Sequence, residues 1–136
     1  MKKQGVAQLK KKADAAFSKY VRYRDGEFKR GEWWTTCITC GVEKPLKQMQ
    51  AGHFVSRAVN KLRYDELNVH GQCYACNVMR YGEQYLYAKE IDERYGNGTA
   101  EALMAQKHQT HKFTIPELEE IIHDALEQVK FYESQA

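Results

Sequence analysis

No stretch of the 136-residue chain approaches the roughly 18 consecutive apolar residues of a membrane span, and its basic start is not followed by an apolar signal core. Both absences point to a cytoplasmic protein with no membrane partner. There is no internal repeat and no low-complexity linker, so nothing in the pattern divides the chain. Its length suits one domain over residues 1–136, able to bury about two-thirds of its unfolded surface. A large charge excess is also missing: 21 basic against 18 acidic residues leave +3, which permits a polyanionic partner without demanding one. Cysteine is confined to four residues in two Cys-x-x-Cys pairs. In a cytosolic compartment, where thiols stay reduced, that spacing favours a metal over two disulfides, and a redox dithiol would explain one pair while leaving the other idle.

The charge that is present is unevenly spread. The first 30 residues carry Lys2, Lys3, Lys10, Lys11, Lys12, Lys19, Arg22, Arg24, Lys29 and Arg30 against three acids, whereas residues 117–127 are acid-rich. Val6, Leu9, Ala13, Ala16, Phe17, Tyr20 and Val21 recur at three- and four-residue spacing, which predicts an amphipathic helix over residues 5–24. Its lysines are either a DNA-tracking face or its solvated side. Asp25-Gly26 and Gly31 break it, and Trp33-Trp34-Thr35-Thr36 reads as a short strand leading into the first cysteine pair. Residues 49–54 form an expected second extended segment, 57–63 a basic loop and 65–70 the returning partner.

No proline interrupts Cys73 to Tyr85, so a helix is expected to open at the second cysteine pair. Tyr85, Leu86, Ala88, Ile91 and Tyr95 carry its stripe on to the stop signal Gly96-Asn97-Gly98. A short helix over residues 100–107 follows. Thr114-Ile115-Pro116-Glu117 then combines a hydroxyl cap, a first-turn proline and a capping-box glutamate, announcing a last helix with Ile115, Leu118, Ile121, Ile122, Ala125, Leu126 and Val129 on its apolar face. The fold class is therefore α+β and mostly helical, with a basic helix in residues 1–30, a metal-stabilised core in 33–82 and helices in 83–136.

Thiolates two residues apart can turn back onto one ion, so Cys37, Cys40, Cys73 and Cys76 make a tetrahedral four-cysteine zinc site. Such a site has no open coordination position, and the chemistry falls to its neighbours. His53 lies between the two pairs, where the metal would hold its strand beside the helix starting at Cys73. A lone histidine is commonly a structural residue; this placement argues for a functional one. Hydrolysing a phosphodiester needs a base for water, a cation for the charge on the phosphorane oxygens, and a group to hold the base in its working tautomer. His53, with an ordinary pKa near roughly 6.5, suits the base. The Asn77 amide oxygen suits a hard divalent ion, Mg2+ or Mn2+. Asn68 would brace the loop or orient His53.

The order His53, Asn68, Cys73-x-x-Cys76-Asn77 resembles an HNH, or ββα-metal finger, nuclease core carrying a four-cysteine zinc site. More closely, residues 37–116 resemble the phage lambda NinG family, also called the Rap recombination nucleases. That resemblance rests on Cys37-Ile38-Thr39-Cys40-Gly41, Ala51-Gly52-His53-Phe54, the run from Leu62 to His70, Gln72-Cys73 with Cys76-Asn77, and His108 to Ile115. It implies an endonuclease cleaving branched DNA, Holliday junctions or D-loops, during phage recombination in a bacterial host. Many ββα-metal nucleases place an acidic or histidine metal ligand just before the base, where this chain has Gly52. His70 is the favoured substitute, Asp65 the other, and a polar surface role for His70 the plain alternative. Arg57, Lys61, Arg63 and Arg80 are expected phosphate contacts, though such residues also serve solubility alone. His108 and His111 could bind metal or cap carbonyls, and Tyr81, Tyr85, Tyr87 and Tyr95 could stack on unpaired bases or pack internally. A homodimer would suit paired cuts across a junction, with no residue marking the interface. The competing reading is a non-catalytic, zinc-stabilised junction-binding module.

Overall fold

In the computed structural model, which describes residues 4–136, the predicted first helix is α1, Val6–Arg24. Lys2 and Lys3 lie outside the described residues. Leu9, Ala13, Ala16, Phe17 and Val21 are its buried positions, spaced as an amphipathic helix requires. Burying a Phe17 or a Val21 side chain stabilises by about 1.5–3 kcal/mol each. Arg22 and Arg24 sit in the last turn, where cations complement the helix dipole. They also anchor that end: Arg22 donates to the Leu46 carbonyl at 3.1 Å and Arg24 to the Val69 carbonyl at 2.6 Å.

Three short antiparallel strands follow, in the order β1 (Gly26–Lys29), β2 (Glu32–Thr36) and β3 (Glu43–Pro45). Arg30 and Gly31 form the two-residue turn of the first hairpin, both at positive φ (53° and 81°), as the strand twist favours. The first cysteine pair occupies the β2–β3 connection. A separate hairpin pairs β4 (Gln50–His53) with β5 (Val69–Gln72), matching Gly52 to His70 and His53 to Val69. Side chains alternate between strand faces. Val69 packs against Phe17 and Val21 of α1, whereas His70 meets Tyr87 of α2 (Gln84–Tyr95) on the other side.

The hairpin is thus covered on both faces. Beyond it, Ile38, Phe54, Val55, Leu62, Tyr87, Ile91, Ala100 and Leu103 form a core shared with α2 and α3 (Thr99–Met104). The last helix, α4 (Ile115–Ser134), lies along α1 and closes a second core of Leu9, Ala13, Phe113 and Leu118. Its expected cap is present: Thr114 Oγ1 accepts from the Glu117 N–H at 3.3 Å. Glu117 itself turns to His111, its carboxylate 2.8 Å from Nε2, so the His111 ring is hydrogen-bonded at the α4 N-terminus.

Two expectations change. The helix predicted from Cys73 onward does not run through: a single π-helical turn, Ala75–Met79, ends in a turn at residues 80–83 before α2 begins. With those losses and the added strands β1 and β3, about half of the chain is helical, so the architecture is α+β but not mostly helical. Among the described residues, no helix is long and apolar enough to cross a membrane.

Candidate functional site

The sulfurs of Cys37, Cys40, Cys73 and Cys76 all lie within 4.8 Å of one another. Cys40 and Cys73 Sγ are 3.7 Å apart. A tetrahedron with metal–sulfur bonds of about 2.3 Å has edges of about 3.8 Å, so the cluster could hold a zinc ion. Local backbone delivers the first pair: Gly41, at φ +79°, lets its N–H reach the Cys37 carbonyl at 2.9 Å, and the Cys37 N–H donates to Val42 at 2.8 Å. Burial pushes the Cys37 thiol up, but the Thr39 hydroxyl at 3.4 Å and nearby backbone N–H groups outweigh it and bring it to about 6. Desolvation and the neighbouring sulfurs push Cys40 up to about 12. Four thiols this close resist joint ionisation, and a dication removes that resistance.

His53 ends β4 on the face toward α1. It lines a cavity of about 340 Å3 together with Asp14, Ser18, Arg57, Arg63 and Asn77. Its Nε2 lies 3.0 Å from the Arg63 carbonyl. A carbonyl only accepts, so Nε2 carries the proton and the Nδ1 lone pair has no partner among the described residues. Burial, helped by the charges of Arg57 and Arg63, lowers the His53 pKa against the opposing pull of the Arg63 carbonyl. The ring is therefore neutral at neutral pH and able to accept a proton.

The orienting carbonyl is itself held. Asp14 of α1 grips the Arg63 side chain through two contacts, Nε to Oδ1 at 2.8 Å and Nη2 to Oδ2 at 2.5 Å, and accepts from the Tyr64 hydroxyl at 2.9 Å. Burial alone would raise the Asp14 carboxyl; these hydrogen bonds outweigh it and hold the pKa below its ordinary value. Asn68, fully buried, accepts from the Val55 N–H at 2.7 Å and donates to the Val55 and Leu62 carbonyls at 2.9 and 3.1 Å. It braces the loop between β4 and β5, and its side-chain hydrogen bonds go to Val55 and Leu62 rather than to His53.

The remaining sequence candidates separate. Asn77 lines the His53 cavity, its Nδ2 donating to Gln50 at 2.7 Å. Arg57 is exposed at the same cavity, without an ion-pair partner among the described residues. Arg63 is held by Asp14 through both carboxylate oxygens. Lys61 lies apart, beside His111 and Phe113. Arg80 is exposed and aims Nη1 at Cys76 Sγ, 3.6 Å away, at the edge of the cysteine cluster.

His70 is the largest departure. It faces away from the cavity, fully buried, with Nδ1 3.3 Å from the Tyr87 hydroxyl and Nε2 2.7 Å from that of Tyr95. It is not available to an ion beside His53. Gly52 points the same way: a Cβ there would lie 2.0 Å from Gln72 Oε1, so the space is already filled. Strand alternation thus closes both positions to a ligand in the cavity. The buried Gln72 uses its Nε2 to bind the Thr39 hydroxyl at 3.2 Å and the Gly82 carbonyl at 2.8 Å, tying the hairpin to the cysteine cluster.

Burial sets a pH response at His70. Desolvation, with Arg24 and Arg94 nearby and Asp25 opposing them, lowers its pKa to about 4. The folded state stays neutral where the unfolded histidine, near 6.5, has begun to charge. The contribution is complete above about pH 6.5 and is lost as pH falls toward 4, amounting to about 3 kcal/mol across that window. Urea midpoints at pH 7 and pH 5 should differ for the native chain, and the difference should shrink in His70→Gln; an equal drop in both would refute it.

Sequence reasoning missed Asp14 and Tyr64. The available signal was the scarcity of acids in the basic first segment. Two of its three acids make long-range contacts: Asp14 to Arg63, and Asp25 as acceptor for the Gly71 N–H at 2.8 Å.

These elements define a small α+β protein in which a four-cysteine cluster stands beside a histidine pocket. The family model for the bacteriophage lambda NinG protein matches residues 1–134, and the chain belongs to that family. Protein ninG of Escherichia phage 933W is 32% identical over 108 residues, covering 79% of this chain and 49% of that protein. The ninG proteins of Escherichia phage lambda and Salmonella phage P22 are each 31% identical over 112 residues, covering 82% of this chain and 50% and 51% of theirs. The chain spans about half the length of the curated relatives it matches. No solved structure matches it.

Proposed function

We propose that the chain is a metal-dependent DNA endonuclease of HNH type that cuts branched recombination intermediates such as Holliday junctions and D-loops. The observation that carries this reading is His53: its ring lines the cavity, its Nε2 is occupied by the Arg63 carbonyl, and its Nδ1 has no hydrogen-bond partner among the described residues. In this mechanism Nδ1 takes a proton from water, the resulting hydroxide oxygen bonds to phosphorus, and the bond to the departing sugar oxygen breaks. Arg57 meets a phosphate at the cavity mouth. Mg2+ or Mn2+, held by the Asn77 amide oxygen and phosphate oxygens, would stabilise charge on the phosphorane. Zinc on the cysteine cluster keeps the His53 strand beside the turn bearing Asn77.

One observation favours a second reading, a zinc-stabilised junction-binding module without catalysis. Asp14, the carboxylate in the cavity, has both oxygens engaged, and positions 52 and 70 face elsewhere. The two readings part on a labelled four-way junction incubated with Mg2+ or Mn2+. The endonuclease nicks it, and a zinc-loaded His53→Ala variant falls by about a hundredfold to ten-thousandfold. Undiminished cleavage by that variant overturns the base assignment. Salt-sensitive binding without nicking by the native chain overturns the enzyme and leaves the module.

A further inference from the structure

Six of the fifteen large apolar side chains exposed among the described residues fall within residues 74–86: Tyr74, Val78, Met79, Tyr81, Tyr85 and Leu86. Tyr81 is 89% exposed, Tyr85 79% and Met79 66%. The backbone beneath them is unusual. Tyr81, Gly82 and Glu83 take positive φ in succession, 53°, 88° and 49°. Side-chain-bearing residues rarely enter that region, and they stay there only where the surroundings enforce it.

Here the surroundings do enforce it. The Gly82 N–H donates to the Cys76 carbonyl at 2.8 Å, and the buried Gln72 amide holds the Gly82 carbonyl at 2.8 Å. The turn is thus pinned from the cysteine cluster on one side and from β5 on the other. Tyr81 gains no packing from this arrangement; what the turn accomplishes is its display. The same segment places Asn77 on the wall of the His53 cavity and leaves Arg80 exposed between Asn77 and Tyr81.

We propose that the left-handed turn Tyr81–Glu83 presents Tyr81, and with it Tyr85 at the start of α2, as a stacking surface for unpaired DNA bases, on the same segment that carries Asn77 to the wall of the His53 cavity. This rests on the endonuclease reading, because the bases would belong to the strand whose phosphate enters that cavity. Exposed aromatic rings suit any base, since every base offers a π face, and a neighbouring arginine suits the phosphate between two bases. A branch point supplies such bases where a flush duplex supplies none. The surface is therefore a means of preferring branched over linear DNA.

The test uses the full zinc-loaded chain and a three-way branch with 2-aminopurine at the unpaired positions, beside a flush duplex of equal length. Binding should quench 2-aminopurine fluorescence on the branch. Tyr81→Ala with Tyr85→Ala should weaken branch binding by about fivefold or more per ring and abolish the quench, with duplex affinity unchanged. Tyr81→Phe with Tyr85→Phe should keep both. Equal branch affinity in the alanine variant would overturn the surface even if the native chain cuts junctions. A tyrosine-dependent quench without cleavage would sustain the surface while the endonuclease reading fails. Tyrosine-dependent self-association of the free chain, with no quench, would overturn it in favour of a contact between copies.

Discussion

Stripping the ion from the four-cysteine cluster is expected to unfold the middle of the chain. Structural zinc sites contribute on the order of 10–16 kcal/mol. That matches or exceeds the whole net stability of an ordinary domain, about 5–15 kcal/mol. The cluster joins two segments far apart in the chain: Cys37 and Cys40 between β2 and β3, and Cys73 and Cys76 just after β5. A backbone hydrogen bond from Ile38 to Gly71, 2.9 Å long, links them nearby. The α1–α4 core of Leu9, Ala13, Phe113 and Leu118 contains no cysteine. Chelation under reducing conditions should therefore expose the amides of residues 37–80 to rapid hydrogen exchange, while helical circular dichroism from α1 and α4 falls less. Elemental analysis should find one zinc per chain. Unchanged exchange after chelation, or no zinc with all four thiols free, would refute the structural role.

Periodicity and caps made the two long helices legible, because α1 and α4 bury single apolar stripes and Thr114 caps as its position requires. The cysteine cluster was legible for a related reason: the spacing within each pair is local, and four cysteines leave few ways to pair off. The interruption at residues 80–83 was hidden. Gly82 alone marks it, and the force that imposes it comes from Gln72 and Cys76, a side chain ten residues away and a backbone carbonyl. The His53 pocket was half legible. His53 and Asn77 stood out beside the cysteines, but Asp14 meets Arg63 across 49 positions, a contact no local pattern encodes. The faces that Gly52 and His70 take were hidden, because only strand register decides them. That register puts them against Gln72 and Tyr87, away from α1.

Asn68→Ala should be the most damaging single change outside the cysteines. Its amide answers three buried backbone groups, the Val55 N–H and the Val55 and Leu62 carbonyls. At about 1–3 kcal/mol for each group left unpaired in the interior, the variant should lose about 3 kcal/mol or more. Asn68→Asp should fare no better, since an oxygen would replace the amide that donates to two carbonyls, and a buried charge would be added. The effect reaches His53 through one peptide unit. Leu62, held by Asn68, precedes Arg63, whose carbonyl fixes the Nε2-protonated ring. Asp14 holds the Arg63 side chain independently, so Asp14→Asn should disturb the base less. Thermal unfolding of zinc-loaded protein measures the stability term, and nitrogen-detected NMR of the imidazole reads the tautomer. Loss of stability with a mixed tautomer makes Asn68 a positioning residue for the base. Loss of stability with the Nε2-protonated ring intact confines it to the fold, and no loss at all would refute the hydrogen-bond account.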